Sequence, residues 1–311
     1  MTTHDLQPAR STLHGHFSAE LAPVLEIDPG DTIRARTLRA SWDDAGFELR
    51  SPFDAGHALL GPVFVRGAEP GDALVIEILK LRPARSGRTS AGDFPSPVND
   101  RLALTGAGHQ RVEWEIDPEA MVARALSFEV EIRPFLGVIG MPPRSPGIHS
   151  TVPPRPTGGN IDCRELVAGS RLLLPVAVKG GLLSFGDGHG AQGDGEVGGT
   201  AIECAMDEAE LRVSLIVAAG LKTPEAHTPA GFITFGFSPD LDEAMMIALE
   251  TMIDRLQSDL HVDRATAAAL ASVSVDLRVT QVVNETLGVH ALLPVDRLRR
   301  GGQPLAIGQR S

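Results

Sequence analysis

The sequence predicts antiparallel β structure built as sandwich- or barrel-like lobes, and three observations carry that prediction. A strand–turn–strand phrase recurs. Val24-Leu25-Glu26-Ile27 runs through Asp28-Pro29-Gly30-Asp31 into Thr32-Ile33, and Val63-Phe64-Val65 runs through Glu69-Pro70-Gly71-Asp72 into Ala73–Ile78. A weaker echo is Val167-Ala168-Gly169-Ser170 before Arg171–Val176. Proline fixes φ and glycine supplies positive φ, so each phrase turns the chain back on itself. Glycine (33) and proline (23) are both abundant while helix-like runs are few, which fits many turns between short strands. Finally, 42% of the 311 residues are hydrophobic, enough for a large core in one big domain or two packed lobes.

The elements follow in order. Residues 1–22 read as an arm that becomes ordered near His14-Gly15-His16, two histidines that either share one side of a strand or, the favoured reading, are of the ordinary surface kind. Residues 82–111 are rich in Arg, Ser, Gly and Pro and read as a long surface excursion covering a site or another subunit. Trp114-Glu115-Ile116 and Phe128–Ile132 read as strands, and Phe135–Gly140 as a buried apolar segment. Residues 142–156 form a proline-stiffened loop that is either a linker between lobes or a pocket wall carrying His149, Thr151 and Arg155. Leu211–Val217 and Phe232–Phe237 are further strands.

The clearest helix starts at Ser238-Pro239, with Ser238 as cap and Asp240 and Asp242 against the positive helix end, and runs to about Asp259. Leu241, Met245, Ala248, Leu249, Met252 and Leu256 make its apolar stripe, and Met245, Met246 and Met252 are core filler. Asp263 caps a second helix from Arg264 to about Val275. Val279–Val283 and Val289–Leu293 close the chain as a strand pair, and Arg297–Arg300 is a solvated end.

Charge and composition exclude several functions. A net charge of -12 opposes nucleic-acid binding, which needs clustered cations for the phosphates. The N-terminus lacks a basic stretch followed by an apolar one, and no apolar run approaches the ~20 residues that span a bilayer. The expectation is a soluble, cytoplasmic protein. Cys163 and Cys204 are too few for a disulfide framework or a four-thiolate zinc site and read as buried hydrophobes. Trp42 and Trp114 read as core or interface residues, and without any tyrosine, proton transfer falls to other groups.

The chemistry concentrates between Gly158 and Glu203, where Asp162, Asp187, His189, Asp194, Glu196 and Glu203 stand among many glycines. Asp187 and His189 are two apart, as are Asp194 and Glu196, so an extended backbone points each pair to one side. Two carboxylates and an imidazole from one loop can hold a zinc-like ion or run acid–base chemistry. The plain counterpart is a set of turns whose Asp side chains bond nearby backbone.

The whole order of residues goes further. Gly158-Gly159-Asn160-Ile161-Asp162, then Leu173-Leu174-Pro175-Val176, then Gly186–Glu196 resembles the acetamidase/formamidase family of amide hydrolases. Gly61–Val65 with Gly67–Asp72, Pro153-Pro154-Arg155, Thr280–Val283 and Gly288–Ala291 extend the resemblance over nearly the whole chain. It departs at the anonymous stretch 82–111 and at Cys163 after Asp162. The resemblance implies a mostly-β fold with a smaller α+β portion near the C-terminus, in two lobes of about 1–150 and 151–311. It further implies cleavage of the carbon–nitrogen bond of short linear amides, release of ammonia, a homo-oligomer (dimer or trimer) and a bound divalent metal, zinc foremost.

An unactivated amide needs a nucleophile, a polarised carbonyl and a proton for the departing amine. A metal supplies the first two. The expected ligands are Asp162, Asp187 and His189, with Glu196 as the base that returns a proton to ammonia. Asn160 binds substrate or oxyanion, while Asp194 works beside Glu196 and, with Glu203, orients the ligands. Two rivals stand beside this reading. One is a Cys163 nucleophile near Glu165 and Lys179; the other is a non-catalytic β scaffold with a structural metal clip.

Overall fold

The computed structural model describes residues 1–42, 46, 51–92, 96–305 and 307–308. Among them, strands dominate, and 18 pair into one network with no closed barrel. Pairing is mostly antiparallel; Thr3–Leu6 on Asp31–Ala35 and Leu25–Ile27 on Leu59–Val65 are parallel. The Pro-Gly-Asp phrases form turns as expected, with Gly30 and Gly71 at positive φ.

The spine is the 19-residue strand Ala73–Ala91, which runs antiparallel to Glu203–Ile216. Its first half also pairs with Arg171–Pro175 and its second half with Gln110–Asp117. Leu74, Ile76 and Ile78 bury into one large core with Ile33, Leu60, Leu174 and Leu211. Phe135–Gly140 and Leu183–His189 pair beside it, and both are buried throughout. Trp42 and Trp114 pack on the edge of this core.

The C-terminal part carries the helices. Leu241–Leu260 lies over Gly231–Ser238 and Leu287–Pro294, burying Ala244, Ala248, Met252 and Leu256. The packing is close because Gly236 faces it: a Cβ there would come 2.0 Å from the Ala244 carbonyl oxygen. The second helix, Arg264–Ser274, is capped by Asp263 as expected. Asp276–Gln281 and Leu287–Pro294 form the final strand pair.

Four expectations need correction. Residues 82–91 are not a surface excursion but the second half of the spine strand, and of the described residues up to 109 only 92 and 96–109 leave the sheet, with a short helix at Pro97–Arg101; 93–95 lie outside the described residues. Its polar residues hide the strand because ion pairs such as Arg82 and Arg85 with Glu119 replace apolar alternation. His14 and His16 are buried, not surface residues. The His14 ring lies 2.7 Å from the His16 carbonyl and 3.0 Å from Ser184 Oγ, and His16 meets Asp54 at 2.9 Å. The first long helix is capped by Asp240 rather than Ser238, its carboxylate accepting from the Glu243 N–H. Met246 is exposed, while Met252 fills the core.

Candidate active site

The strand Leu183–His189 ends with Asp187 and His189 on one side, as period-two alternation requires. It pairs with Phe135–Gly140, and Gly137 lies directly behind the two side chains. A Cβ on Gly137 would stand 2.5 Å from Asp187 Oδ2, 2.7 Å from Asp162 Oδ1 and 2.8 Å from the His189 ring. The absent side chain is the room in which the acids converge. Glu203 sits opposite His189 in the neighbouring strand. Asp162 follows Gly158–Asn160, and Glu196 comes from the turn after the strand. Asp162, Asp187 and Glu196 all hold positive φ, a conformation that costs a non-glycine residue of order 1–3 kcal/mol and clusters at functional sites.

His189 is the hub. Its Nδ1 is 3.0 Å from Gln192 Oε1, and the Gln192 amide nitrogen donates to the Asp162 carbonyl, which fixes the Gln192 oxygen toward the ring. The ring therefore donates from Nδ1 and turns Nε2 toward Asp187 Oδ2 at 3.3 Å and Glu203 Oε2 at 3.4 Å. Phe135 packs edge-on against the same ring. A second acidic pair lies on the other side: the Asn284 amide nitrogen is 3.0 Å from Asp162 Oδ2 and 3.3 Å from Glu196 Oε2.

Four carboxylates and one imidazole are buried here together. Burial and the neighbouring Glu196 charge raise Asp162 well above the usual carboxylate range. Burial pushes Glu196 up to about 7 and raises Glu203. Burial acts on Asp187 in the same sense, yet His189 and His57 outweigh it and leave this carboxyl below its ordinary value. Burial opposes a charge on His189, but Glu203 and Asp187 overcome it and raise the ring well above its ordinary value. A proton and a metal ion compete for the same Nε2 lone pair, so the field that holds the one also favours the other.

The donor set fits a divalent cation. Asp187, His189 and Glu203 each offer an atom within 4.8 Å of the others, and Asp162, His189 and Glu196 form a second such trio. Asn160 Oδ1, Asp162 Oδ1, Asp187 Oδ1 and Glu203 Oε2 are buried oxygens with no hydrogen-bond partner. Buried acceptors normally have one, so four in one place mark room for a positive ligand. Asn160, Asp187 and Glu203 also line a cavity of about 270 Å³, together with His57, His189, Glu196 and Asn284.

The structure thus brings together Asn160, Asp162, Asp187, His189, Glu196 and Glu203, with Glu203 in direct contact with His189. It does not bring Asp194 there: that side chain is half-buried with its carboxylate 3.9 Å from Arg278. Cys163 is wholly buried, and burial pushes its thiol far above the ordinary range; burial likewise pushes Cys204 up to about 12. Neither is a poised nucleophile.

Several groups escaped the sequence reading. His57 reaches Asp187 at 3.9 Å while its Nδ1 meets Thr151 Oγ1 at 2.9 Å. Gln281 donates to the Asn160 carbonyl and accepts from Asn284. Gln281 lies within a motif segment that carried the resemblance, whereas nothing local marks His57.

Comparison with known proteins identifies what the chain as a whole resembles. The model of the acetamidase/formamidase family matches residues 2–146 and 145–296. The chain is 26% identical over 244 residues to a formamidase of Methylophilus methylotrophus, covering 60% of this chain and 59% of that one. It is 27% identical over 254 residues to an acetamidase of Mycolicibacterium smegmatis, covering 59% and 61%. It thus spans about three-fifths of the length of these two relatives. The crystal structure of an acetamidase from Bacillus halodurans superposes with a TM-score of 0.83 at 26% identity, covering 94% of this chain and 97% of that one. Matched along both halves of its length, the chain belongs to the acetamidase/formamidase family.

Proposed function

We propose that this cluster hydrolyses the carbon–nitrogen bond of short linear amides and does so around a divalent cation, zinc foremost. Family membership makes the protein an amidohydrolase acting on such amides. The observation that carries the site assignment is the convergence of four buried oxygens without hydrogen-bond partners, three of them on residues that line one cavity.

His189 Nε2, Asp187 and Glu203 are the residues that hold the ion, because the Gln192 contact leaves that nitrogen facing those two carboxylates. Glu203 takes the ligand place first expected of Asp162. When bound, the ion acts as a Lewis acid and lowers the pKa of water. Glu196 is the base. Raised to about 7, it accepts a proton from the attacking water and returns one to the departing nitrogen. Asp162 and Asn284 fix its position.

The Asn160 amide nitrogen donates to the Val152 carbonyl, so its free Oδ1 faces the cavity as an acceptor for the substrate amide N–H. His57 serves the carbonyl end. Thr151 Oγ1 accepts the His57 backbone N–H and lies 2.9 Å from Nδ1, which holds the ring with Nε2 toward Asp187. Asp194 acts from outside, against Arg278.

A structural metal clip is the competing reading, and the cavity opening onto the cluster favours catalysis over it. The test is ammonia release from formamide, acetamide and longer amides, with metal analysis before and after chelation. Activity is expected to vanish with the metal and return with zinc, and His189→Ala is expected to lose both metal and turnover. Retention of both by this variant would sink the assignment.

The two-lobed division at about residue 150 and a dimeric or trimeric assembly belong to the same proposal. Leu126 and Phe128, exposed at the tip of the hairpin Val122–Ala125 and Phe128–Glu131, support a subunit contact. Light scattering on the purified protein reads the assembly directly. No helix among the described residues is long and apolar enough to cross a membrane. Two buried free cysteines are consistent with residence in the reducing cytoplasm.

A further inference from the structure

One buried side chain joins separate parts of the candidate centre without entering the cavity. Gln281 is fully buried and is not among the residues that line that cavity. It ends the strand Asp276–Gln281, which carries a bulge between Val279 and Gln281. Bulges re-aim the side chains beside them and are common next to active sites. Opposite stands Gly288, where a Cβ would lie 3.2 Å from Gln281 Cγ, so the missing side chain leaves Gln281 its room.

The Gln281 amide has one orientation. Its nitrogen is 2.8 Å from the Asn160 carbonyl oxygen and 3.3 Å from that of Ile161. Carbonyls only accept, so the nitrogen faces this segment and Oε1 faces Asn284, whose amide nitrogen donates to it at 2.7 Å. The Asn284 nitrogen also lies 3.0 Å from Asp162 Oδ2 and 3.3 Å from Glu196 Oε2. A primary amide has two N–H groups to divide among these three acceptors. The shortest contact takes one, and the other spans the two carboxylates. Glu196 has the longest contact of the three, so its place depends on how Asn284 is held. The backbone adds a second tie. The N–H of Gly195, next to Glu196, donates to the Thr280 carbonyl at 3.0 Å, and the Val282 N–H donates to the Gly195 carbonyl at 2.9 Å.

We infer that Gln281 is a positioning residue for the hydrolysis, holding Glu196, the base, in register with Asn160, the acceptor for the substrate amide. This inference rests on the amide-hydrolase reading. Gln281 acts on Glu196 through Asn284 and on Asn160 through its backbone carbonyl. None of its side-chain hydrogen bonds goes to Asp187, His189 or Glu203, so its loss leaves the atoms that would hold the cation where they are.

The test measures acetamide hydrolysis by the zinc-loaded wild type, Gln281→Met, Asn284→Ala and the double variant, with zinc content beside each. Methionine keeps the length of glutamine and removes both hydrogen-bonding ends. In Gln281→Met, kcat per bound zinc is expected to fall by about tenfold, with KM within about threefold and zinc content at the wild-type value. In the Asn284→Ala background the same change is expected to cost less than about threefold, because the route to Glu196 is already gone. If Gln281→Met fails to fold, Gln281→Asn carries the same expectation: it keeps the amide but is too short to reach Asn160 and Asn284 together. A variant at the wild-type kcat, an equal loss in both backgrounds, or a loss matched by lost zinc overturns the inference while leaving the amidase reading intact. No ammonia from acetamide or formamide with the wild type overturns both.

Discussion

Gly137 shows how much one missing side chain can control. The carboxylates of Asp162 and Asp187 occupy the space that a Cβ at this position would need. Gly137→Ala is expected to push them apart, lowering metal content and cutting kcat by at least about a hundredfold, with overpacking costing about 1–3 kcal/mol of stability. Metal analysis beside a turnover assay checks the first part and urea unfolding the second. Cys163→Ala makes the opposite case: turnover should stay at the wild-type value, and thiol reagents should not label the native protein, because this thiol is buried and protonated. Loss of activity would restore the cysteine mechanism. Asp162, Asp187, His189, Glu196 and Glu203 were legible in the sequence because one stretch of chain carries them all. His57 and Asn284 were not, because they reach the cavity through strand register and long-range packing, which leave no local pattern.

Elements are held by two different means, and that difference decides which ones a sequence betrays. The helix Leu241–Leu260 was visible because its apolar stripe repeats at helical spacing and acids cluster at its start. The cap fell two residues later than expected because Asp240 reaches the Glu243 N–H, which leaves Ser238 in the preceding strand. The second half of the spine strand was invisible because ladder bonds and surface ion pairs hold it with little apolar burial. Gly236 is where helix and sheet come closest. Gly236→Val is expected to destabilise the protein by about 1–3 kcal/mol or more, since its Cβ would overlap the Ala244 carbonyl and lie 2.7 Å from the Ala248 nitrogen. Thermal unfolding measures this directly, and an unchanged midpoint would show that the helix can shift.

At the scale of the whole molecule, stability should depend on a histidine with no part in the proposed chemistry. Burial, aided by Arg278 and Arg164, lowers His290 to about 3, and its Nδ1 meets Thr280 Oγ1 at 2.8 Å. An unfolded histidine binds a proton near pH ~6.5. Between that pH and about 3 the unfolded chain therefore holds a proton at this position that the folded one refuses. Stability contributed by neutral His290 is complete above this window and falls with acid by roughly 1.4 kcal/mol per pH unit inside it. His290→Gln, measured beside wild type by urea unfolding at pH 7 and pH 5, should lose less stability on acidification. Equal losses would remove His290 as the cause. The mostly-β plan was legible because turn residues punctuate it, whereas the joining of strands from both halves into one network depends on pairings between distant segments.

The amide of Asn284 that bridges Asp162 and Glu196 has a consequence for biosynthesis. Translation delivers His57 first, the acidic stretch next and Asn284 only after both. A nascent chain halted at residue 280 already carries Asp162, Asp187, His189, Glu196 and Glu203 but lacks the clamp that sets two of them. Assembly of the complete centre, and any loading of an ion into it, therefore waits until synthesis has passed Asn284.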